Sequence, residues 1–177
     1  MKRLLIIASA AAILSVPGLA AAQATTNLTV TASVAAVCTV AAAPTLAFGA
    51  YDPVSAQAST ALPGTGTISV TCTKNTATAR IDLDNGANFS GTRRMVHGTI
   101  GTEFLGYDLF KPDASGAAAN CTANAWGTGV TDGYSAVAGD FTSAAVAVDF
   151  KVCGSVPAGQ NVATGSYSDI VGVTVNF

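Results

Sequence analysis

Apolar and polar positions alternate along much of this chain, which is the period-two pattern of a half-buried β-strand. The alternation runs unbroken through residues 28–40, so one long strand or two collinear strands fit it equally well. Further strands are predicted for residues 66–73, 79–83, 105–110, 144–152 and 170–177. On the last of these, one face carries Val171, Val173, Val175 and Phe177.

Turn-forming residues separate the predicted strands. Asp84-Asn85-Gly86 follows one strand, Lys111-Pro112-Asp113 follows another, and residues 157–161 contain both Pro and Gly. Residues 113–140 are rich in Ala, Gly, Asn and Thr, which predicts loops. No stretch beyond the N-terminus has the pattern of a long amphipathic helix. Short strands with turns between them predict an all-β sandwich in one domain.

The first 22 residues have the pattern of a secretory signal peptide. Lys2 and Arg3 precede an apolar run from Leu4 to Leu14, and small residues at 20–22 follow the Pro17-Gly18 break. That order of basic, apolar and small residues is typical of an exported precursor. A membrane anchor is the alternative, but the run is short for a span of about 20 residues. No later segment is apolar enough to span a membrane, and we therefore expect export of residues 23–177.

The composition limits the classes of partner. Without Lys2 and Arg3 the chain keeps six basic and ten acidic residues, and Arg93-Arg94 is its one basic pair. Nucleic-acid binding therefore has no electrostatic basis. Charged residues make up 10% of the chain, against about 25% in ordinary globular proteins. Such a surface suits burial against neighbouring subunits, although a secreted domain with a Thr/Ser coat has the same composition.

Four cysteines accompany the export signal. They are Cys38, Cys72, Cys121 and Cys153. In an oxidising compartment an even number predicts two disulfides, and three pairings satisfy the sequence. No CxxC is present and His97 is the sole histidine, so the spacing predicts no metal site.

Catalytic motifs are absent, and we predict neither an enzyme nor a bound cofactor. A Ser–His–Asp triad would require His97, which we predict to be an exposed loop histidine. Asp82 and Asp84 could form a carboxylate pair, but their place at a strand end favours turn capping. Aromatic residues on alternate strand positions could line a sugar groove, but a place in the core is the commoner role. They are Tyr107, Phe110, Trp126, Tyr134 and Phe150.

A series of short motifs follows in a fixed order along the chain. It comprises TVTASVAAVCTV at 29–40, FGxYDP from Phe48, GTISVTCT at 66–73, Arg93-Arg94-Met95, LGYDLF at 105–110, Trp126-Gly127 and VPAGQNVATGSYSDIVGVTVNF at 156–177. The ordered set resembles the spore coat protein U domain family, the major-subunit family of archaic chaperone–usher pili. The resemblance covers nearly all of residues 23–177.

The cysteines match this family in part. The resemblance implies a Cys38–Cys72 disulfide, which is the usual bridge of the family. Where the family commonly has Tyr-Gly, this chain has Cys153-Gly154, and Cys121 is the other additional cysteine. The resemblance therefore implies a second disulfide between Cys121 and Cys153.

The resemblance also implies a mechanism of assembly. Such subunits are similar to immunoglobulin-like sandwiches that lack their last strand, which leaves a hydrophobic groove. A periplasmic chaperone fills the groove first. At the outer-membrane usher, the N-terminal extension of the next subunit replaces the chaperone, and a head-to-tail filament grows.

In this chain the resemblance assigns residues 23–36 to the donor extension and residues 37–177 to the sandwich domain. The inserted side chains would be Leu28, Val30, Ala32 and Val34. The groove wall and chaperone-docking strand would carry Val171, Val173, Val175 and Phe177. The implied role is adhesion and biofilm formation in an extracellular fimbrium. The alternatives are a secreted carbohydrate-binding module and a spore or cyst coat component, and for residues 28–34 an ordinary first strand of the same domain.

Overall fold

The computed structural model describes residues 23–41, 45–112, 124–136 and 139–177. The signal-peptide prediction for residues 1–22 and Cys121 lie outside these ranges. The strands are β1 Cys38–Val40, β2 Leu62–Cys72, β3 Arg80–Leu83, β4 Arg93–His97, β5 Phe104–Phe110, β6 Tyr134–Ser135, β7 Ala147–Val156, β8 Tyr167–Ser168 and β9 Val173–Asn176. A 3-10 turn, Ala56–Ala58, and a short helix, α1 Gly129–Asp132, complete the elements.

Two antiparallel sheets form within the described residues. The larger has the order β1-β2-β7-β5-β4-β8, and the smaller has the order β6-β3-β9. The longest pairing joins β2 to β7, from Leu62 opposite Val156 to Thr71 opposite Ala147. The predicted all-β sandwich class is therefore confirmed. No helix in the described part of the chain has the length and apolar character needed to cross a membrane.

The hydrophobic core draws on both sheets. On β2 the alternate residues Ile68, Val70 and Cys72 are buried, as the period-two pattern predicts. Phe150 on β7 and Ile81 on β3 are wholly buried. The aromatic residues Tyr107, Trp126 and Tyr134 are also buried in this core, which confirms the structural interpretation of those rings.

Trp126 links the two sheets. Its backbone N donates to Leu109 O on β5 at 2.8 Å, and its indole Nε1 donates to Ile81 O on β3 at 2.9 Å. The indole is fully buried, so the second bond satisfies a donor that would otherwise be desolvated without a partner. This residue therefore fixes the spacing of the sheets at that end of the core.

The observed strands differ from the predicted ones at several boundaries, and two differences are larger than the others. Of the alternating residues 28–40, only Cys38–Val40 forms a strand. The sequence pattern also gave no separate prediction for β4, Arg93–His97, because two arginines open it. Both differences bear on the site, since β4 contributes to the groove described below and residues 23–33 form a separate unit.

Candidate functional site

A groove lies between the sheets of the domain. One cavity of about 330 Å³ is lined by the inner face of the larger sheet and by the segment that leads into β9. A second cavity of about 600 Å³ shares Leu46, Phe48, Met95 and Tyr167 with the first. We call the two cavities together the groove. The shared lining is mainly apolar, which suits an extended segment that carries aliphatic side chains.

The C-terminal segment forms one wall of the groove. Val171 and Val173 line the first cavity, and Val175 packs against the core opposite Ile81. Phe177 follows the end of β9 and is 54% exposed. The structure thus brings three of the four predicted wall residues to the groove or the core.

One edge of β9 has no strand partner in the described part of the chain. β9 pairs with β3 on its other side, from Arg80 opposite Asn176 to Leu83 opposite Val173. An unpaired strand edge presents backbone donors and acceptors to any strand that lies beside it. The groove therefore combines an apolar lining with an open backbone edge, which are the two requirements for strand addition.

The N-terminal unit exposes apolar side chains at alternate positions. Residues 23–33 contain no helix or strand. Leu28 and Val30 are 86% and 83% exposed, and Val34, the first residue of the second compact unit, is 84% exposed. Ala32 is exposed as well. The alternating apolar positions therefore remain uncovered in a single chain.

A polar cluster stands beside the groove. Tyr107 Oη donates to Asp169 Oδ2 at 2.7 Å, and Asn88 donates to Asp169 Oδ1 from its backbone N at 3.2 Å and its Nδ2 at 2.9 Å. Burial, and then the hydrogen bond to Asp169, raise the pKa of the Tyr107 phenol well above its usual value. The cluster ties the segment before β9 to β5.

The FGxYDP motif packs on a pair of distant glycines. Gly64 on β2 and Gly154 on β7 lie opposite each other, and the Phe48 ring covers both. A Cβ would lie 2.7 Å from the ring at Gly64 and 2.6 Å from it at Gly154. Neither position has room for a side chain while the ring stays in place. Phe48 also lies 5.9 Å from the Tyr107 ring, measured between centroids, so the motif helps to build the groove.

Arg93 stabilises the end of the small sheet. Its Nη2 donates to Leu83 O at 3.1 Å, Asp84 O at 2.6 Å and Trp126 O at 2.8 Å, and its Nε donates to Asp84 O at 3.0 Å. Burial lowers the pKa of this guanidinium from its usual value. One arginine of the Arg93-Arg94 motif therefore serves the domain's own backbone, a role that its charge alone does not reveal.

The prediction for His97 was wrong. His97 lies at the end of β4 and is buried, with 7% of its surface exposed. Its Nδ1 accepts from the backbone N atoms of Thr99 at 3.1 Å and Ile100 at 3.0 Å, so the ring proton is on Nε2, which donates to Thr164 O at 3.0 Å. Gly165 leaves room for the ring, since a Cβ there would lie 2.0 Å from Nε2. The ring thus joins two loops beside β8.

The two aspartates have different roles. Asp84 Oδ1 accepts from Gly86 N at 2.8 Å, so its predicted turn-capping role is confirmed. For Asp82 that prediction was wrong, because its carboxylate binds Arg80 Nε at 2.9 Å and Asn176 Nδ2 at 2.9 Å. Asp82 thereby fastens β9 to β3. The two carboxylates serve separate neighbours, and this arrangement does not resemble a catalytic pair.

The predicted disulfides are described in part by the structure. Cys38 and Cys72 are joined, and they face each other across the β1–β2 pairing. Cys153 is also disulfide-bonded and fully buried. Cys121, the partner that the resemblance implies, lies outside the described residues. Among those residues, no cluster of three or more His, Cys, Asp or Glu is placed to hold a metal ion.

Comparisons with known proteins agree with the motif order. Residues 24–174 match the family model described as Spore Coat Protein U domain. "Protein U" of Myxococcus xanthus is 34% identical over 182 aligned residues, which cover 97% of this chain and 94% of that protein.

A solved structure also matches the chain. It is the CsuC-CsuE chaperone-tip adhesion subunit pre-assembly complex from archaic chaperone-usher Csu pili of Acinetobacter baumannii. The TM-score is 0.49 and the identity is 21%. The match covers 81% of this chain, which spans 40% of the length of the matched chain.

Proposed function

This chain belongs to the Spore Coat Protein U domain family, and from that membership we propose that it is a structural subunit of a chaperone–usher surface pilus. In this proposal each subunit inserts its N-terminal extension, residues 23–36, into the groove of the next subunit. Residues 37–177 form the domain that receives it. The protein would be exported through the periplasm and would end in an extracellular fimbrium.

The observation that carries the proposal is the match between an open edge and an exposed strand pattern. The edge of β9 lies beside an apolar groove, and the extension exposes Leu28 and Val30. Burial of each aliphatic side chain stabilises a complex by roughly 1.5–3 kcal/mol before the cost of ordering the strand. Backbone hydrogen bonds along β9 would add affinity, while the side chains would set the register.

Three kinds of partner follow from this mechanism. The first is a second copy of this chain or a related subunit, bound head to tail, which gives an open filament. The second is a periplasmic chaperone that covers the groove before assembly, and the third is an outer-membrane usher. Val171 and Val173 line the groove and Val175 packs against the core, which supports the proposal that both the chaperone and the donor contact this strand. Adhesion and biofilm formation are the proposed roles of the filament.

A coat component of resting cells is the second candidate, and the family's description favours it. Such a coat would use the same subunit contact. The two candidates differ in where the polymer accumulates. Antibody labelling of growing and resting cells separates them, because a pilus extends from growing cells whereas a coat appears around resting ones.

The test of polymerisation uses a chain that lacks residues 23–36 and a synthetic peptide of that segment. We expect the peptide to bind and to raise the thermal stability of the truncated chain. A peptide with Val30→Asp should bind at least about tenfold more weakly, since a charge would enter an apolar site. Its matched control carries Thr31→Asp, on the opposite face of the strand. A truncated chain that is stable and monomeric and ignores the peptide would disprove the proposal.

A further inference from the structure

The end of the N-terminal extension is held by one side chain of the domain. Val37 N donates to Thr73 Oγ1 at 3.1 Å, and Thr73 Oγ1 donates to Ala35 O at 3.1 Å. The Thr73 backbone N also donates to Val37 O at 2.9 Å. The hydroxyl lies 3.4 Å from Val37 O as well, but its single proton favours the shorter contact. One hydroxyl thus acts as acceptor and donor to the same short segment.

These contacts lengthen the ordered edge of the larger sheet. β1 begins at Cys38, which lies opposite Cys72, and the backbone bond from Thr73 adds one step to that pairing. The hydrogen bond from the Thr73 hydroxyl to Ala35 O extends this ordered segment to Ala35. Only Val34 separates this held segment from the separate unit that ends at Ser33. The tether between the domain and its donor positions therefore has almost no slack.

The length of free chain between the domain and the donor positions decides whether the extension enters its own groove or that of a neighbour. A strand on a short flexible tether meets its own groove at an effective concentration in the millimolar range, and this falls to near zero when the tether cannot span the distance. If the extension must fold back beside β1 to reach its own groove, that reversal needs a turn of four residues. With Ala35 held, that turn would use residues 31–34 and would remove Ala32 and Val34 from the donor face. Insertion into a second copy requires no such turn.

We propose that Thr73 is a positioning residue that prevents the extension from entering its own groove and directs it to a second copy of this chain. This inference rests on the proposed function. The hydroxyl acts through Ala35 and Val37 and does not itself enter the groove. Its loss should leave the groove unchanged and should alter only the choice between self-insertion and insertion into a neighbour.

The test uses chains of residues 23–177 with Thr73→Val, Thr73→Ala and Thr73→Ser. Oxidised chains are refolded over a range of protein concentrations, and folded monomers are isolated by size exclusion. The readout is the fraction of monomer that no longer binds a labelled peptide of residues 23–36. We expect Thr73→Val and Thr73→Ala to raise this fraction about tenfold at low concentration, since two hydrogen bonds are lost. Thr73→Ser should match the original chain.

Thr71→Val is the matched control, because it makes the same change two residues away on β2, where the hydroxyl has no hydrogen bond to any of the described residues. A chain with two glycines inserted between Val34 and Ala35 keeps the hydrogen bonds of Thr73 to Ala35 and Val37, which we call the clamp. Its donor positions are joined to the domain by a longer flexible linker, so it should also self-insert. The inference is wrong if the fraction of non-binding monomer in Thr73→Val and Thr73→Ala equals that in Thr71→Val. It is also wrong if Thr73→Ser gives the same fraction as Thr73→Val. If a chain that lacks residues 23–36 does not bind the peptide either, the proposed function itself fails.

Discussion

The side-chain amide of Gln160 binds both backbone groups of Gly106: Oε1 accepts from Gly106 N at 2.7 Å, and Nε2 donates to Gly106 O at 2.9 Å. The β5–β7 register, in which Asp108 lies opposite Ser155, places Pro157 opposite Gly106. Proline cannot donate to a sheet. The Gln160 amide therefore replaces the backbone pairing that Pro157 interrupts.

Gln160→Leu should lower the free energy of unfolding by about 2–3 kcal/mol, because it leaves a backbone donor and a backbone acceptor without partners. Gln160→Glu keeps the acceptor for Gly106 N but loses the donor to Gly106 O. Its free energy of unfolding should therefore lie between those of Gln160→Leu and the original chain. Urea unfolding monitored by fluorescence of the buried Trp126 measures the differences. A leucine variant as stable as the original chain would show that water satisfies Gly106 instead.

Gly154→Ala should destabilise the domain by about 1–3 kcal/mol, since the new methyl group would overlap the Phe48 ring. Gly101→Ala is the control, because among the described residues no atom beyond its two chain neighbours lies within 4 Å of the Cβ position there. A double-mutant cycle with Phe48→Leu checks the mechanism by urea unfolding. Strictly additive effects of the two changes would contradict the contact that we describe.

The Tyr107–Asp169 pair predicts a loss of stability at alkaline pH. The pKa of Tyr107 is raised in the folded chain, whereas an unfolded tyrosine ionises near pH 10. The stabilisation by this shift is therefore complete below about pH 10 and declines as the pH rises above it. Urea unfolding between pH 8 and 11 should show a steeper decline for the original chain than for Tyr107→Phe. Parallel curves would contradict this assignment.

Removal of the Cys38–Cys72 disulfide should cost roughly 3–4 kcal/mol in the chain-entropy model, since the two residues are 34 apart in sequence. The double variant Cys38→Ala/Cys72→Ala avoids an unpaired thiol. Its urea midpoint, measured against that of the oxidised chain, gives the effect. A loss below about 1 kcal/mol would indicate that the unfolded chain retains compact structure around these residues.

Much of the fold could be predicted from local pattern. Period-two alternation predicted strands at the positions of β2 and β7, and turn residues marked the strand ends. The long-range contacts could not be predicted in this way. Nothing in the sequence around His97 reveals that Thr164 and Gly165, far along the chain, form its pocket. Likewise, the space for the Phe48 ring comes from glycines on two other strands.

The groove was predicted only through the family resemblance, because a missing strand leaves no mark on the residues that would surround it. The alternation in residues 28–34 equally fits a strand of the same domain. The structure leaves those residues outside any strand, and their assignment as the donor stays a proposal. The clamp by Thr73 was not predicted, since a threonine in a strand has no distinctive signature.

The position of the Cys38–Cys72 bridge has a mechanical consequence. If a filament is pulled through its N-terminal extensions, tension enters each domain at Ala35 and meets the first covalent cross-link at Cys38. The three-residue strand β1 then bears little of the load, because the bridge passes the force directly to β2. The long pairing of β2 with β7 resists it. Such a domain would resist unravelling from its N-terminal end.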